Sequence, residues 1–171
     1  MYHLYKESVQ TEFTVKEIDF EMAESTQNTL QITGNITVEG PIINVEVFKS
    51  LEDLRAWHNN KTLVKFHTLS ALIDTGADIS SLHTPFIDDL NLDKIEGGFK
   101  GQGIGGVINT EKAKCIVYHS IFRQIGLPLN LIGRDFSNEN FKAILGRDFL
   151  RYFTLIYDGW SNSFRLINVN V

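Results

Sequence analysis

The residues best placed for chemistry gather at Ala71-Leu72-Ile73-Asp74-Thr75-Gly76-Ala77-Asp78, where an apolar run delivers a carboxylate into a sharp turn. A carboxylate so placed can take a proton from water or give one to a carbonyl oxygen, which is general acid–base work. The same letters also suit an ordinary strand-ending turn, with Thr75 and Asp78 bonding local amides. Other chemistries lack their residues. The histidines, His3, His58, His67, His83 and His119, are scattered, without the His-Glu-x-x-His spacing of a metallopeptidase. Neither a Gly-x-Ser-x-Gly elbow nor a phosphate-binding P-loop occurs. Cys115 sits in an apolar strand pattern and reads as an inert core thiol.

Two further segments give the turn a context. Residues 97 to 106 are rich in glycine, and Ala143-Ile144-Leu145-Gly146-Arg147-Asp148-Phe149-Leu150 follows later in the chain. In order and spacing the three elements resemble the retropepsin-like (retroviral-type) aspartic peptidases. That family carries two apolar residues before Asp-Thr-Gly-Ala, a glycine-rich flap, and two apolar residues before Gly-Arg-(Asn/Asp)-x-Leu. The resemblance covers residues 40 to 170 and leaves the first forty without a counterpart.

The resemblance implies an aspartic endopeptidase with Asp74, Thr75 and Gly76 as its catalytic turn. Thr75 would bond across a two-fold axis, and Gly76 would offer its backbone to the substrate. Ala77 and Asp78, with Gly103, Ile104 and Gly105 of the glycine-rich tip, would contact an extended peptide. Gly146 and Arg147 would support the turn, Arg147 by pairing with Asp78. Asp148 reads as a helix cap or first-turn acid. No cofactor and no metal are implied.

Two carboxylates about 3 Å apart cannot both ionise cheaply, so such a pair shares one proton and supplies both acid and base. Only one Asp-Thr-Gly occurs in this chain. The second aspartate is therefore expected from an identical chain, in a two-fold homodimer acting on peptide substrates. A rival reading keeps the fold and the dimer but not the reaction: a catalytically decayed peptide-binding or scaffold module.

Two sequence coincidences need placing. Gly101-Gln102-Gly103-Ile104-Gly105-Gly106 matches a dinucleotide fingerprint by letter, but strand-like sequence follows it and no acid stands about twenty residues on. Leu131-Ile132-Gly133-Arg134-Asp135-Phe136 nearly copies the later motif. The later copy is the expected support, because Phe149, Leu150 and a strand follow it.

The formal charge of −5, with Lys and Arg scattered, argues against nucleic-acid partners, which need a basic face. A start of Met1-Tyr2-His3-Leu4-Tyr5-Lys6, and no apolar run near the ~18 residues of a membrane span, give a cytoplasmic expectation without membrane contact.

Short alternating runs bounded by turn residues must position the turn. They predict strands over 30–38, 42–48, 63–73, 107–122, 143–145, 153–157 and 164–169, with a looser alternation at 11–20. Residues 50–57 suit a helical turn or two capped by Ser50, and 84–90 a short helix with Thr84 as cap and Pro85 at its first position. Residues 128–140 read as turn residues around a short apolar run, and 146–153 as a helix. The expected fold is all-β, a closed-barrel acid-protease (retropepsin-like) domain over 41–171 with one short C-terminal helix. Residues 1–40 form an N-terminal extension, expected as strands packed on that domain.

Overall fold

The computed structural model describes residues 31–60, 63–103, 106–120 and 126–168. The alternation at 11–20, most of the 1–40 extension, and Ile104 and Gly105 fall outside them.

Alternating apolar residues produce strand after strand. The chain enters with β1 (Gln31–Asn35) and reverses at 37–40 into β2 (Ile42–Phe48), which continues through helix α1 (Leu51–Asn60) to β3 (Phe66–Ile73). Next come β4 (Ser81–His83), α2 (Thr84–Asp89) and the two-residue β5 (Asp93–Lys94). The hairpin β6 (Phe99–Gly103) and β7 (Gly106–Thr110) leads into β8 (Lys112–Tyr118) and β9 (Leu127–Arg134). The chain closes with β10 (Ala143–Leu145), α3 (Arg147–Leu150), β11 (Phe153–Asp158) and β12 (Ser163–Asn168).

Six strands form a closed ring in the order β2-β3-β10-β4-β9-β8, because β8 pairs again with β2, and β5 hangs on β8. Closure removes the free edges that an open sheet would expose. This is the all-β closed barrel expected, and it is consistent with the retropepsin-like fold. Two pairings, β10 on β3 and β9 on β4, are parallel. The side-chain period of two sends Val45 and Val47, Ala71 and Ile73, and Cys115 and Val117 into one core. Phe149 of α3, Ile87 of α2 and Phe164 and Leu166 of β12 complete that core. Burying each of these larger side chains contributes roughly 1.5–3 kcal/mol.

Outside the ring, β1, β12 and β11 form a three-stranded antiparallel sheet. Gly34 makes room there for the Phe164 ring, whose nearest carbon would stand 2.7 Å from an added Cβ. Helix α1 covers another flank: Leu54 packs with Phe48, Ile116 and Tyr118, and Phe48 stacks on Phe66 at 5.0 Å.

Local details depart from expectation in instructive ways. Ser50 does cap α1, its hydroxyl accepting from the Asp53 amide at 3.1 Å, but the helix runs on to Asn60 because its apolar face has the aromatic cluster to pack against. Thr84 is the first residue of α2 rather than its cap; His83 holds the cap position without a side-chain capping bond, and the Thr84 hydroxyl reaches the Arg134 carbonyl at 3.4 Å. Residues 127–134 form a full strand despite Pro128, which lies near the start of β9, where a missing donor costs least. The C-terminal helix spans only Arg147–Leu150 and is one of three short helices among the described residues.

Candidate active site

Asp74 follows directly on β3, and the parallel register of β10 sets Leu145 opposite Ile73. The strand hydrogen bonding continues one step further, since the Asp74 amide donates to the Leu145 carbonyl at 3.0 Å. Its own carbonyl accepts from the Ala77 amide at 3.2 Å, which closes the turn. Oδ1 accepts from the Gly76 amide at 2.8 Å. A Cβ on residue 76 would lie only 3.1 Å from that oxygen, so a side chain there would crowd the carboxylate. Among the described residues no hydrogen bond is seen to Asp74 Oδ2. The carboxylate is half-buried while Thr75 and Gly76 are exposed, so the turn offers an acceptor oxygen at the surface of the barrel.

The segment after β10 grips this turn from below. Gly146 lies against the backbone of 77–80: an added Cβ would meet the Ala77 carbonyl oxygen at 2.7 Å and the Ile79 carbonyl carbon at 3.0 Å. The Arg147 amide donates to the Ala77 carbonyl at 2.8 Å, and its guanidinium pairs with the exposed Asp78 and points at the Thr75 carbonyl, 3.5 Å away. An exposed ion pair adds little stability, typically below about 1 kcal/mol, so its consequence here is orientation of the turn.

The deepest link is one that sequence reasoning missed. Ser80 is fully buried, its hydroxyl donates to Asp148 Oδ1 at 2.6 Å, and it accepts from the Gly146 amide at 3.0 Å. Asp148 also accepts from the Ser80 amide at 3.0 Å and the Phe149 amide at 2.9 Å. Asp148 is thus a first-turn acid of α3 and, beyond that, the clasp that joins the two segments. A serine within a polar run, Asp78-Ile79-Ser80-Ser81, carries no local sign of burial; the signal was only its position shortly past the turn in a chain re-entering the barrel.

Beside the turn lies an apolar wall. Phe136, Phe141 and Ile144 cluster with the partly buried Ile42, Leu72 and Ala77. Ala77 thereby anchors the turn to a buried apolar cluster.

The glycine-rich stretch runs from strand to strand, β6 pairing with β7 out to Gly103 opposite Gly106. No helix opens there, which removes the dinucleotide reading. Gly103 ends β6, while Ile104 and Gly105 at the tip are outside the described residues.

Two of the histidines have local partners. His67 bonds Asp89 at 2.7 Å, and His83 Nδ1 accepts from the Phe136 amide at 3.0 Å. Burial, with the Asp148 charge adding to it, pushes the Cys115 thiol well up, in keeping with an unreactive core residue. Among the described residues no group of three or more His, Cys, Asp or Glu side chains could hold a metal ion, and no helix is long and apolar enough to cross a membrane.

No family model and no curated protein matches the chain. Similar solved structures include EIAV protease in complex with an inhibitor, at 25% identity over 65% of this chain and 85% of that one, with a TM-score of 0.39. A retropepsin-like aspartic protease from Rickettsia conorii is 16% identical over 82% of this chain and 92% of its own, with a TM-score of 0.47. A protein of unknown function from Legionella pneumophila is 16% identical over 63% and 83% of the two chains, with a TM-score of 0.35.

Proposed function

We propose that this protein is an aspartic endopeptidase that works as a homodimer, each chain supplying one Asp74. The observation that carries the reading is the turn itself: a half-buried carboxylate, held at Oδ1 by the Gly76 amide, on a loop locked by Gly146, Arg147 and Asp148. Surface turns need no such frame. Positional fixing of this kind is what acid–base catalysis demands, because the proton must be delivered along one line.

In this mechanism two Asp74 carboxyls face each other across the two-fold axis and hold one proton between them. The ionised partner takes a proton from water as the water oxygen bonds to the amide carbon. The protonated partner gives its proton to the carbonyl oxygen. The tetrahedral diol then collapses: one hydroxyl returns its proton to the ionised carboxylate as the C=O bond re-forms, the C–N bond breaks, and the amine leaves with the proton held by the other carboxyl, so the dyad again holds one proton. Thr75 would tie the two turns together. Gly76, Ala77 and Asp78 would align the peptide main chain, and the hairpin β6–β7, through Gly103, Ile104 and Gly105, would cover it as a flap. Apolar side chains would flank the cleaved bond. Extended peptide suits such a site because backbone pairing with the hairpin gives affinity without sequence demand.

The decisive experiment compares the full chain with Asp74→Asn on an apolar-rich peptide library at mildly acid pH. Cleavage by the native chain and a loss of at least about 10³-fold in the variant are expected, since half of the dyad's chemistry disappears. Equal turnover by both chains would remove the site. In the same assay, specific activity should fall on dilution as dimers separate; constant activity in a monomeric sample contradicts the shared dyad.

A further inference from the structure

The hairpin β6–β7 leaves the barrel by two dissimilar mounts. On the β6 side the chain passes through Gly97 and Gly98, both at positive φ (82° and 56°), a conformation that side-chain-bearing residues rarely adopt. On the β7 side it is stitched down. The Thr110 hydroxyl donates to the Gly133 carbonyl at 2.7 Å, and the Gly133 amide donates to the Glu111 carbonyl at 3.0 Å. Gly133 itself belongs to the barrel wall, where β9 pairs in parallel with β4. Three elements crowd this position: an added Cβ would stand 3.0 Å from Thr84 Oγ1, 3.1 Å from Glu111 Cγ and 3.2 Å from Thr110 Oγ1. Lys94 secures the joint from outside, its ammonium bridging Glu111 Oε2 at 2.6 Å and Asp88 Oδ1 at 2.9 Å.

We propose that Gly133, in the earlier Gly-Arg-Asp-Phe copy, is the pivot of the hairpin, and that Thr110 is the positioning residue that pins the hairpin to it. The near-repeat of the motif then gains a separate role, with the later copy framing the catalytic turn and the earlier copy framing the cover. On the β6 side the last tie to the barrel is the Ile95 amide on the Lys112 carbonyl at 2.7 Å, before the two glycines, so the hairpin swings about residues 97–98 and 110–111 as one unit with its β6–β7 pairing intact. Only the kinetic part of this inference rests on the peptidase reading; the pivot is a mechanical property of the chain.

The test uses the full chain and two variants, Thr110→Val, which keeps the shape and loses the hydroxyl donor, and Thr110→Ser, which keeps the donor. Hydrogen exchange is followed at the amides of 99–103 and 106–110, with those of β2 and β3 as reference. Removing one hydrogen bond should raise hairpin exchange about five- to tenfold in the valine variant, leave β2 and β3 unchanged, and return towards the native rate with serine. On a peptide that the native chain cleaves, KM should rise several-fold in the valine variant while kcat changes less than twofold. Native-like hairpin exchange in Thr110→Val overturns the pivot, as does an increase spread equally over β2 and β3. If the exchange pattern appears and no chain cleaves any peptide, the pivot stands and the peptidase reading falls. If cleavage occurs and valine moves neither exchange nor KM, the pivot falls alone.

Discussion

The chain contains two nearly identical strings, Leu131-Ile132-Gly133-Arg134-Asp135-Phe136 and Ile144-Leu145-Gly146-Arg147-Asp148-Phe149, and folds them differently. In the first, β9 continues through Gly133 and Arg134, the guanidinium lies 6.0 Å over the Phe136 ring, and exposed Asp135 folds onto the Ser137 amide at 2.9 Å. In the second, β10 stops at Leu145 and the chain turns into α3, with Asp148 turned inward to Ser80. The phenylalanine is buried in both. What differs is the neighbour that each glycine meets. Gly133 faces side chains of Thr84, Glu111 and Thr110, whereas Gly146 faces the backbone of 77–80 and the Ser80 hydroxyl. Side chains yield and backbone does not, so the second copy is the rigid one.

The largest test of that contrast replaces each glycine by alanine. Gly146→Ala must displace main-chain atoms and should cost about 1–3 kcal/mol, lowering Tm by about 2–4 °C per kcal/mol and abolishing turnover. Gly133→Ala should lose less than half as much stability. Equal losses in thermal unfolding would dissolve the distinction. A smaller effect is expected at the aspartates. Asp148→Asn weakens a carboxylate that accepts from Ser80 and Phe149, and should cost about 1–3 kcal/mol in urea unfolding, while Asp135→Asn leaves the midpoint in place. The smallest effect is a titration. The Ser137 hydroxyl, then its amide, hold the Asp135 carboxyl below its ordinary 3.8. A lowered pKa means that this turn is stabilised above pH 3.8 and loses that support as pH falls through the folded-state value. Carboxyl NMR should find the Asp135 midpoint below 3.8 and see it rise in Ser137→Ala; an unchanged midpoint would detach Asp135 from its turn.

Much of the fold is legible because its signals are local. The alternation of Ile43, Val45 and Val47, the cap at Ser50 and the apolar run into Asp74 each declare themselves within a few residues. The barrel's closure does not, since β2 meets β8 through Glu46 opposite Tyr118, far along the chain. Pro128 obscured β9 by speaking for a turn in a place where strand pairing with β8 overrides it. At the site, the Asp-Thr-Gly and Gly-Arg letters are visible, but the Ser80–Asp148 clasp spans 68 residues and has no local trace. The two motif copies make the same point: identical letters acquire their conformations from partners remote in sequence.

The contacts around Asp74 also set an order in time. Its amide waits for Leu145, and Ala77 and Ser80 wait for Arg147 and Asp148. Closing so long a stretch of chain is entropically late, and parallel pairing of β10 with β3 cannot begin before its partner strand exists. A nascent chain emerging from a ribosome therefore displays the aspartate before the residues that frame it have been made, and until then it carries the acid without its support.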